Sequence, residues 1–496
     1  MSPAWAQAFA LVFEPYNILV MLGASLFGLF VGAVPGLTAT MATALLVPVT
    51  FFMAPIPAIA AMVTATAMAI FSGDIPGCLL RMPGTPASAA YTDEAYAMTR
   101  KGMAETALGA GLVFSAVGGL FGTAVLMIAA PTLAEFALNF SSFEYFWLVL
   151  MGLTCAVFIS SDRPLKGLVT LFAGLLIACV GLNNPAAFPR FTFGHTNLLG
   201  GLGLVPMMIG MFAVSEIIRY MVDTKPAALI VDAKVGNVFK GMWALAVKYP
   251  KQILRGSVLG TLVGALPGAG ADIAAWMSYA MSKRFSKEPE KFGTGHVEGI
   301  VESGAANNSA LAGAWIPALV FGIPGDSITA IVIGVLYMKN MNPGPSLFTN
   351  NPQQIYAVFL LFIIANLIML PLGWLCIKVA KRILKVPRDI LMPVILLFCV
   401  VGAFAINNAT FDIGVMLVAG VVAYVLEENG FPISPLILGV VLGGMLEENL
   451  VSSLIKSDGN ALAFFSRPIA ATLGVVTILI WLSPLLRRLR RAPTAA

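Results

Sequence analysis

Four short stretches gather polar residues within apolar surroundings: Pro35-Gly36-Leu37-Thr38-Ala39-Thr40, Pro83-Gly84-Thr85-Pro86-Ala87-Ser88, Pro267-Gly268-Ala269-Gly270-Ala271-Asp272 and Pro324-Gly325-Asp326-Ser327-Ile328-Thr329. Each opens on a Pro-Gly pair and continues with small, hydroxyl or acidic residues. Proline removes an amide donor and stops or kinks a helix, and glycine adopts backbone conformations that other residues avoid. A helix that restarts after such a break offers free N–H groups and a partial positive charge, suited to a carboxylate. The freed carbonyls and the nearby hydroxyls offer oxygens to a cation. One such stretch alone reads as a kink whose Ser and Thr bond their own helix. Four, in two matched pairs, read as a site for an anionic solute and a coupling ion.

Asp272 and Asp326 lie within these stretches. Carboxylates at membrane depth are expensive, which makes them candidates for binding Na+ or carrying a proton; the alternative is an Asp hydrogen-bonded in a loop near water. Asn307 and Asn308 stand in the small-residue run VESGAANNSALAGAW. Their amides can reach a substrate carboxylate, give an oxygen to a cation, or bond a neighbouring helix. Asp74 and Arg81 fall in FSGDIPGCLLRMPGT. On a helix continued through Pro76 they share a face and can pair internally. Alternatively Arg81, just before Pro83, presents its guanidinium to a substrate carboxylate. Glu298 and Glu302 are one turn apart and expected near the water boundary. Glu427-Glu428 and Glu447-Glu448 read as helix-end groups.

Other chemistries lack their residues. Cys78, Cys155, Cys179, Cys376 and Cys399 lie in apolar runs without close pairing and read as small buried hydrophobes. His195 and His296 have no ligand set around them in the sequence. No nucleophile elbow occurs, and GAGAD and GLGLV lack the Lys-Ser/Thr of a phosphate loop. The chain is therefore not read as an enzyme or an ATP-driven pump. No cofactor is expected; Na+ is a candidate coupling ion.

The elements that must position these residues follow from composition. Of 496 residues, 59% are apolar and 11% charged, with a mean hydropathy of +0.90. An ordinary soluble chain is about 45–50% apolar and about 25% charged. The apolar runs are long and continuous, without the period-two alternation of a barrel. An all-α polytopic membrane protein is expected, with ten to twelve spans of about 20 residues and re-entrant pieces. The N-terminus lacks the basic region and short apolar core of a cleaved signal peptide. Lys and Arg concentrate in 219–255, in 378–388 and in the tail RRLRR, which places all three on the cytoplasmic side.

The chain also repeats itself. GAVPGLTATMATA matches GALPGAGADIAAW, with Pro267 following Pro35 by 232 residues (267 − 35). MPGTPASAA matches IPGDSITAI, with Pro324 following Pro83 by 241 (324 − 83). A weaker third pair joins Gly181-Leu182-Asn183-Asn184 to Ala405-Ile406-Asn407-Asn408. These marks divide the chain into a first transmembrane repeat at 1–218, a basic cytoplasmic linker at 219–255, a second repeat at 256–486 and a basic tail at 487–496. Matched Gly/Pro-interrupted segments in two halves point to a secondary transporter, with the interruptions at its site. Irregular backbone is tolerated at membrane depth only where it lines a cavity or is buried in protein. Segment 256–283 has basic flanks, Arg255 and Lys283-Arg284, and is too short to cross twice. With both flanks on one side it is a re-entrant hairpin tipped by 266–272; a single full crossing is the alternative. Its counterpart, 16–56, has neutral or acidic flanks, which fits entry from the opposite side and an inverted repeat.

The motifs GAVPGLTATMATALLVP, MPGTPASAA followed by Asp93 to Gly102, PRFTFG at 189–194, GALPGAGAD and ESGAANNSALAGAWIPALVFGIPGDSITAIVIG closely resemble the large membrane subunit of the tripartite tricarboxylate transporter family, over nearly the whole chain. The resemblance implies a multi-pass bacterial inner-membrane importer of carboxylates, citrate-like or aromatic, driven by a Na+ or H+ gradient. It implies two partners, a periplasmic substrate-binding protein and a small membrane subunit of about four helices. It further implies an architecture similar to elevator-type ion transporters, with hairpin tips at 35–40 and 267–272 and unwound helices at 83–88 and 324–329. The sequence departs from the family at Phe71-Ser72-Gly73-Asp74-Ile75-Pro76, where a neutral run is expected. A passive anion channel is the alternative function.

Overall fold

A computed structural model describes residues 3–159, 164–182, 188–222, 236–384 and 388–490. Asn183 and Asn184 of the weak third repeat mark lie outside the described residues, as do 223–235 of the basic connection and 491–496 of the tail. Regular structure among the described residues is helical, apart from one isolated antiparallel bridge between Gly181 and Arg190.

The chain opens with α1 (Pro3–Val12), α2 (Pro15–Ala33), α3 (Ala39–Phe51), α4 (Pro55–Ser72), α5 (Asp74–Leu80), α6 (Thr92–Arg100) and α7 (Ala104–Ala137). It continues through α8 (Ser142–Ile159), α9 (Pro164–Ala178), α10 (Leu204–Ile209), α11 (Ser215–Val222) and α12 (Met242–Lys248). A π-helical turn at Gly210–Val214 joins α10 to α11. Next come α13 (Pro250–Gly264), α14 (Gly270–Phe285), α15 (Val297–Phe321), α16 (Ser327–Met338), α17 (Pro345–Asn350) and α18 (Pro352–Ile383). The last four are α19 (Arg388–Asn407), α20 (Thr410–Glu428), α21 (Ile433–Lys456) and α22 (Pro468–Arg490). Several begin on proline, whose missing N–H is harmless in a first turn.

Eight helical segments among the described residues are long and apolar enough to cross a membrane, and six more are apolar but only 10–17 residues long. The protein is a multi-pass membrane protein. The difference from the expected ten to twelve spans has a simple cause. Apolar runs such as 37–54 and 327–340 contain helices of only 13 and 12 residues. These extend about 20 Å, against a hydrocarbon core of about 30 Å.

Two compact units form, each drawing on chain from both sides of the basic connection. The first comprises Met1–Glu135 and Val205–Glu428, the second Phe136–Leu204 and Asn429–Ala496. In the first, α4 and α15 are buried nearly end to end and pack on each other. Both are rich in small residues, Ala and Thr in α4 and Ala, Gly and Ser in α15, and small side chains let helix backbones approach closely where lipid gives no hydrophobic drive.

Around each of these two helices lies a helical pair. Gly256, Gly260 and Gly264 of α13 lie against the backbones of Glu302, Ala306 and Ala310, so α13 runs parallel to α15. α14 returns antiparallel: its Gly270 lies at Asp326, and Ser278 bonds the Glu302 carbonyl. Its two open ends meet at one side chain, with Gln252 Nε2 donating to Glu298 Oε1 at 2.7 Å and Ser286 Oγ donating to Oε2 at 2.6 Å. Segment 256–283 is thus a hairpin rather than a straight crossing, with arms about 22–24 Å long. Likewise α2 runs along α4, Gly28 on Ala65 and Gly32 on Ala69, while Thr43 of α3 bonds Thr66 at 3.0 Å. Lys339 Nζ, just past α16, caps the far end of α3 through the Phe51 and Met53 carbonyls at 2.8 and 2.7 Å.

The second unit packs α8, α9, α21 and α22. Gly174 lies against the Leu436 carbonyl. Trp147 Nε1 donates to the Phe464 carbonyl at 2.9 Å. Arg467 pairs with the buried Glu144 at 3.0 Å, and Arg190 with Glu447 at 2.7 Å.

Candidate functional site

The four Pro-Gly stretches all lie in the first unit, and the backbone interrupts at each. Gly36 and Gly268 take φ of 89° and 81°, a left-handed conformation glycine adopts without strain, and turn the chain between the arms of the two helical pairs. Thr38 caps α3, its Oγ1 accepting the Met41 N–H at 3.1 Å; Thr40 is half-buried in the following turn. Pro35 and Pro324 are buried, and Pro267 is half-buried. In the second stretch Thr85 and Ser88 lock each other: the Ser88 amide donates to Thr85 Oγ1 and the Thr85 amide to Ser88 Oγ, both at 3.2 Å. Pro83 beside them is exposed.

Close contacts tie these stretches together. A Cβ on Gly84 would lie 2.6 Å from the Gly32 carbonyl oxygen, three residues before Pro35. A Cβ on Gly325 would lie 2.4 Å from the Gly264 carbonyl oxygen, three residues before Pro267. Such separations admit only glycine. The Gly268 amide donates to the Gly325 carbonyl at 2.8 Å, and Gly270 lies directly against Asp326. The first-half break reaches the second-half hairpin through the Ala87 amide, which donates to Asp272 Oδ1 at 3.0 Å, and through Trp276 Nε1, which donates to the Pro86 carbonyl at 3.2 Å.

The two acids differ in setting. Asp272 is exposed, in the first turn of α14. Asp326 is the N-cap of α16 in a reciprocal box: Oδ1 accepts the Thr329 amide at 2.7 Å, and Thr329 Oγ1 accepts the Asp326 amide at 2.9 Å. This geometry stabilises a helix start by itself. Ser327 is half-buried at the first position of α16.

The internal pairing of Asp74 with Arg81 does not form. α5 ends at Leu80, and Arg81 turns out of the helix with φ 58°, so the spacing of seven no longer sets a common face. Arg81 Nε instead meets Asp93 Oδ1 at 2.9 Å, with both side chains about two-thirds exposed. Asp74 turns inward to the Tyr91 hydroxyl at 2.6 Å. Asn307 also reaches Tyr91, its Nδ2 donating at 3.4 Å, while Asn308 Nδ2 lies 3.5 Å from Met369 Sδ. The Oδ1 atoms of both asparagines are buried and have no partner among the described residues.

Glu298 and Glu302 are buried within the protein, at 4% and 0% exposure. Arg255 reaches Glu302 with two bonds of 2.5 Å, and Glu298 is covered by the hairpin ends. Cys78, Cys376 and Cys399 are buried, and all five cysteines are free.

Three features escaped the sequence reading. Tyr91 links the first break to Asp74, and a hydroxyl aromatic one turn past a break was its available signal. Glu94, fully buried, accepts the Tyr279 hydroxyl at 2.9 Å and the amides of Gly295 at 2.6 Å, His296 at 2.8 Å and Gly293. Nothing local in the sequence announces that clamp. Asn366 is a lone buried amide in the apolar α18, visible as such in the sequence.

The site therefore offers helix N-termini, hydroxyls and two carboxylates around touching breaks, an arrangement that can bind small ions. Among the described residues no group of three or more His, Cys, Asp or Glu could hold a metal ion.

Residues 18–438 match the model of the tripartite tricarboxylate transporter TctA family. A protein of Agrobacterium vitis, described as an uncharacterized 52.8 kDa protein in the TAR-I ttuC' 3'region, is 34% identical over 489 residues, covering 97% of this chain and 96% of its own length. A second Agrobacterium vitis protein, uncharacterized and in the TAR-II ttuC' 3'region, is 37% identical over 234 residues, 47% of this chain and 97% of its own length. No solved structure matches. With its family model covering most of its length, the chain belongs to the TctA family of tripartite tricarboxylate transporters, membrane transport proteins that work together with further subunits.

Proposed function

We propose that this chain is the large transmembrane subunit of a binding-protein-dependent secondary transporter in the bacterial inner membrane. It imports di- or tricarboxylates, citrate-like or aromatic, driven by a Na+ or H+ gradient. Its partners are a periplasmic binding protein and a small membrane subunit, and its basic tail faces the cytoplasm. One observation carries the reading: breaks far apart in sequence touch, the Ala87 amide on Asp272 and the Gly268 amide on the Gly325 carbonyl.

The two halves are read as inverted repeats. Gly32 and Gly264 hold corresponding places against α4 and α15, and each carbonyl meets the glycine of the following Pro-Gly break. The α13–α14 arms are too short to cross alone, which favours a re-entrant hairpin and an elevator-like arrangement.

Substrate and ion divide by charge. Asp272 and Asp326 already answer the N-terminal ends of α14 and α16, so a substrate carboxylate is repelled there and a cation favoured. The start of α3 carries the Thr38 hydroxyl and first-turn amides with no acidic side chain in that turn, which suits the anion; the Thr85–Ser88 turn adds hydroxyls, and its Ala87 amide, already held by Asp272, marks where the two sides meet. Thr38, Thr85 and Ser88 form its side of the site, with Ser327 next to the ion.

The test is uptake of labelled carboxylates into proteoliposomes holding both membrane subunits, with the binding protein outside and an imposed Na+ or proton gradient. Accumulation that collapses with one gradient is expected. Equilibration without accumulation would instead indicate a passive anion channel. Within that assay Thr85→Ala and Ser327→Ala should slow uptake while leaving subunit assembly intact; full uptake in both would remove the hydroxyls from the site.

A further inference from the structure

Asp74 opens α5 directly below the end of α4 and is 6% exposed. Its Oδ1 accepts one hydrogen bond, from Tyr91. Its Oδ2 is buried and has no partner among the described residues. Opposite Oδ2 stands Gly111 of α7, where a Cβ would lie 2.8 Å from the oxygen. Backbone with no free donor therefore covers the carboxylate.

Among the described residues no ionisable group of the packed elements other than Tyr91 bonds Asp74; on α6, Tyr96 lies under Arg81 and Arg100 is exposed at the helix end. Cys78, on the same helix, bonds Thr99 at 2.9 Å. α4 contains no ionisable side chain, and the Tyr16 of α2 lies at its far end. From α6, Asp93 pairs with Arg81 and Glu94 with the 293–296 loop. From α7, Glu105 accepts the Gly236 amide; from α15, Glu298 is held by the hairpin ends and Glu302 by Arg255. Among the described residues no Lys, Arg or His pairs with Asp74.

A charged carboxylate in such a place keeps one hydroxyl donor in exchange for its whole hydration shell, and neutralising it removes that penalty. A metal cation would need a shell of oxygens, while a proton needs one lone pair. We propose that Asp74 is a proton-binding site. The proton comes from water, bonds Oδ2 as O–H, and leaves again as H+ with no other bond made or broken.

The site also has a route to the breaks. Tyr91 follows the 3-10 turn Ser88–Ala90, and Ala87 before it holds Asp272. Ionised Asp74 holds the Tyr91 hydroxyl by a charge-assisted bond, and neutral Asp74 holds it less tightly. Protonation thus biases the position of 87–91, and through it the site; this second step rests on the transport reading above.

The proton site is tested on purified protein by infrared difference spectroscopy. The expected result is a neutral carboxylic-acid carbonyl band that disappears in Asp74→Asn and shifts in Tyr91→Phe. An unchanged band in both variants, or Na+-dependent thermal stabilisation that Asp74→Asn abolishes, would overturn the proposal. Should Asp74→Asn fail to fold, the Tyr91→Phe spectrum alone decides it. In proteoliposomes, Asp74→Asn should lose accumulation driven by a proton gradient while still exchanging substrate across equal gradients; accumulation at the wild-type level would overturn the coupling step. Absence of carboxylate uptake in the wild type would sink the transport reading and leave the spectroscopic result for Asp74 standing.

Discussion

Ala87 and Asp272, 185 positions apart, share a hydrogen bond of 3.0 Å between a backbone amide and a carboxylate oxygen. It joins the first-half break to the second-half hairpin through an exposed acid. Two substitutions separate the roles of its geometry and its charge. Asp272→Asn keeps an oxygen for Ala87 and removes the charge; Asp272→Ala removes both. Melting temperature should hardly change in the first and fall by the equivalent of about 1 kcal/mol in the second. Gradient-driven uptake should be lost in both. Normal uptake by Asp272→Asn would show that the charge is dispensable.

The glycine contacts at the breaks predict a sharp steric boundary. Gly84→Ala and Gly325→Ala each push a methyl group onto a carbonyl oxygen that cannot retreat without moving its helix. Destabilisation of about 1–3 kcal/mol or more is expected, as for an overpacked core. Gly23→Ala, with open space around it, is the control and should be neutral or slightly stabilising. Thermal unfolding of the three detergent-solubilised variants measures the contrast.

Arg255 and Glu302 form a two-bond ion pair in which the carboxylate has no exposure and the guanidinium is 27% exposed. Arg255→Ala leaves Glu302 buried and bare, a loss of about 2–3 kcal/mol, below the full penalty for a buried pair because Arg255 is partly in solvent. Arg255→Met with Glu302→Gln should be milder than Arg255→Ala alone. A double variant less stable than the single one would contradict this account.

Glu94 predicts a local effect instead of a global one. Glu94→Ala deletes the acceptor for three loop amides and for Tyr279. Hydrogen exchange at Gly293, Gly295 and His296 should accelerate by about one to two orders of magnitude, matching about 1–3 kcal/mol of lost protection. Exchange unchanged from the wild type would mean that the loop is held by other contacts.

What the sequence disclosed divides along the range of the interaction. Pro-Gly breaks are legible because proline and glycine act on their own backbone, and all four interrupt helices where they stand. The hairpin at 256–283 was legible from the charges on its two flanks. The partner of Asp74 was not, because it depends on Arg81 leaving the helix and on Tyr91 arriving from beyond the break. That Glu298 and Glu302 are buried was not legible either, because Gln252 and Arg255, 46 and 47 positions before them, and Ser286 are what cover them. Glu94 sits in a polar helix whose surroundings give no sign that its carboxylate has an interior destination.

The Glu94 clamp sets an order in time. All four of its donors lie 185 to 202 residues downstream. At about 5–20 residues per second, the ribosome delivers the last of them about 10–40 s after the carboxylate itself. For that interval the nascent chain carries a carboxylate whose set of donors is incomplete, so α6 cannot settle into its final contacts until the 279–296 stretch has been made. Assembly of the first unit is then a late event in synthesis, and a stalled chain ending before residue 279 would leave that acid without any of its donors and the half-built protein open to proteolysis.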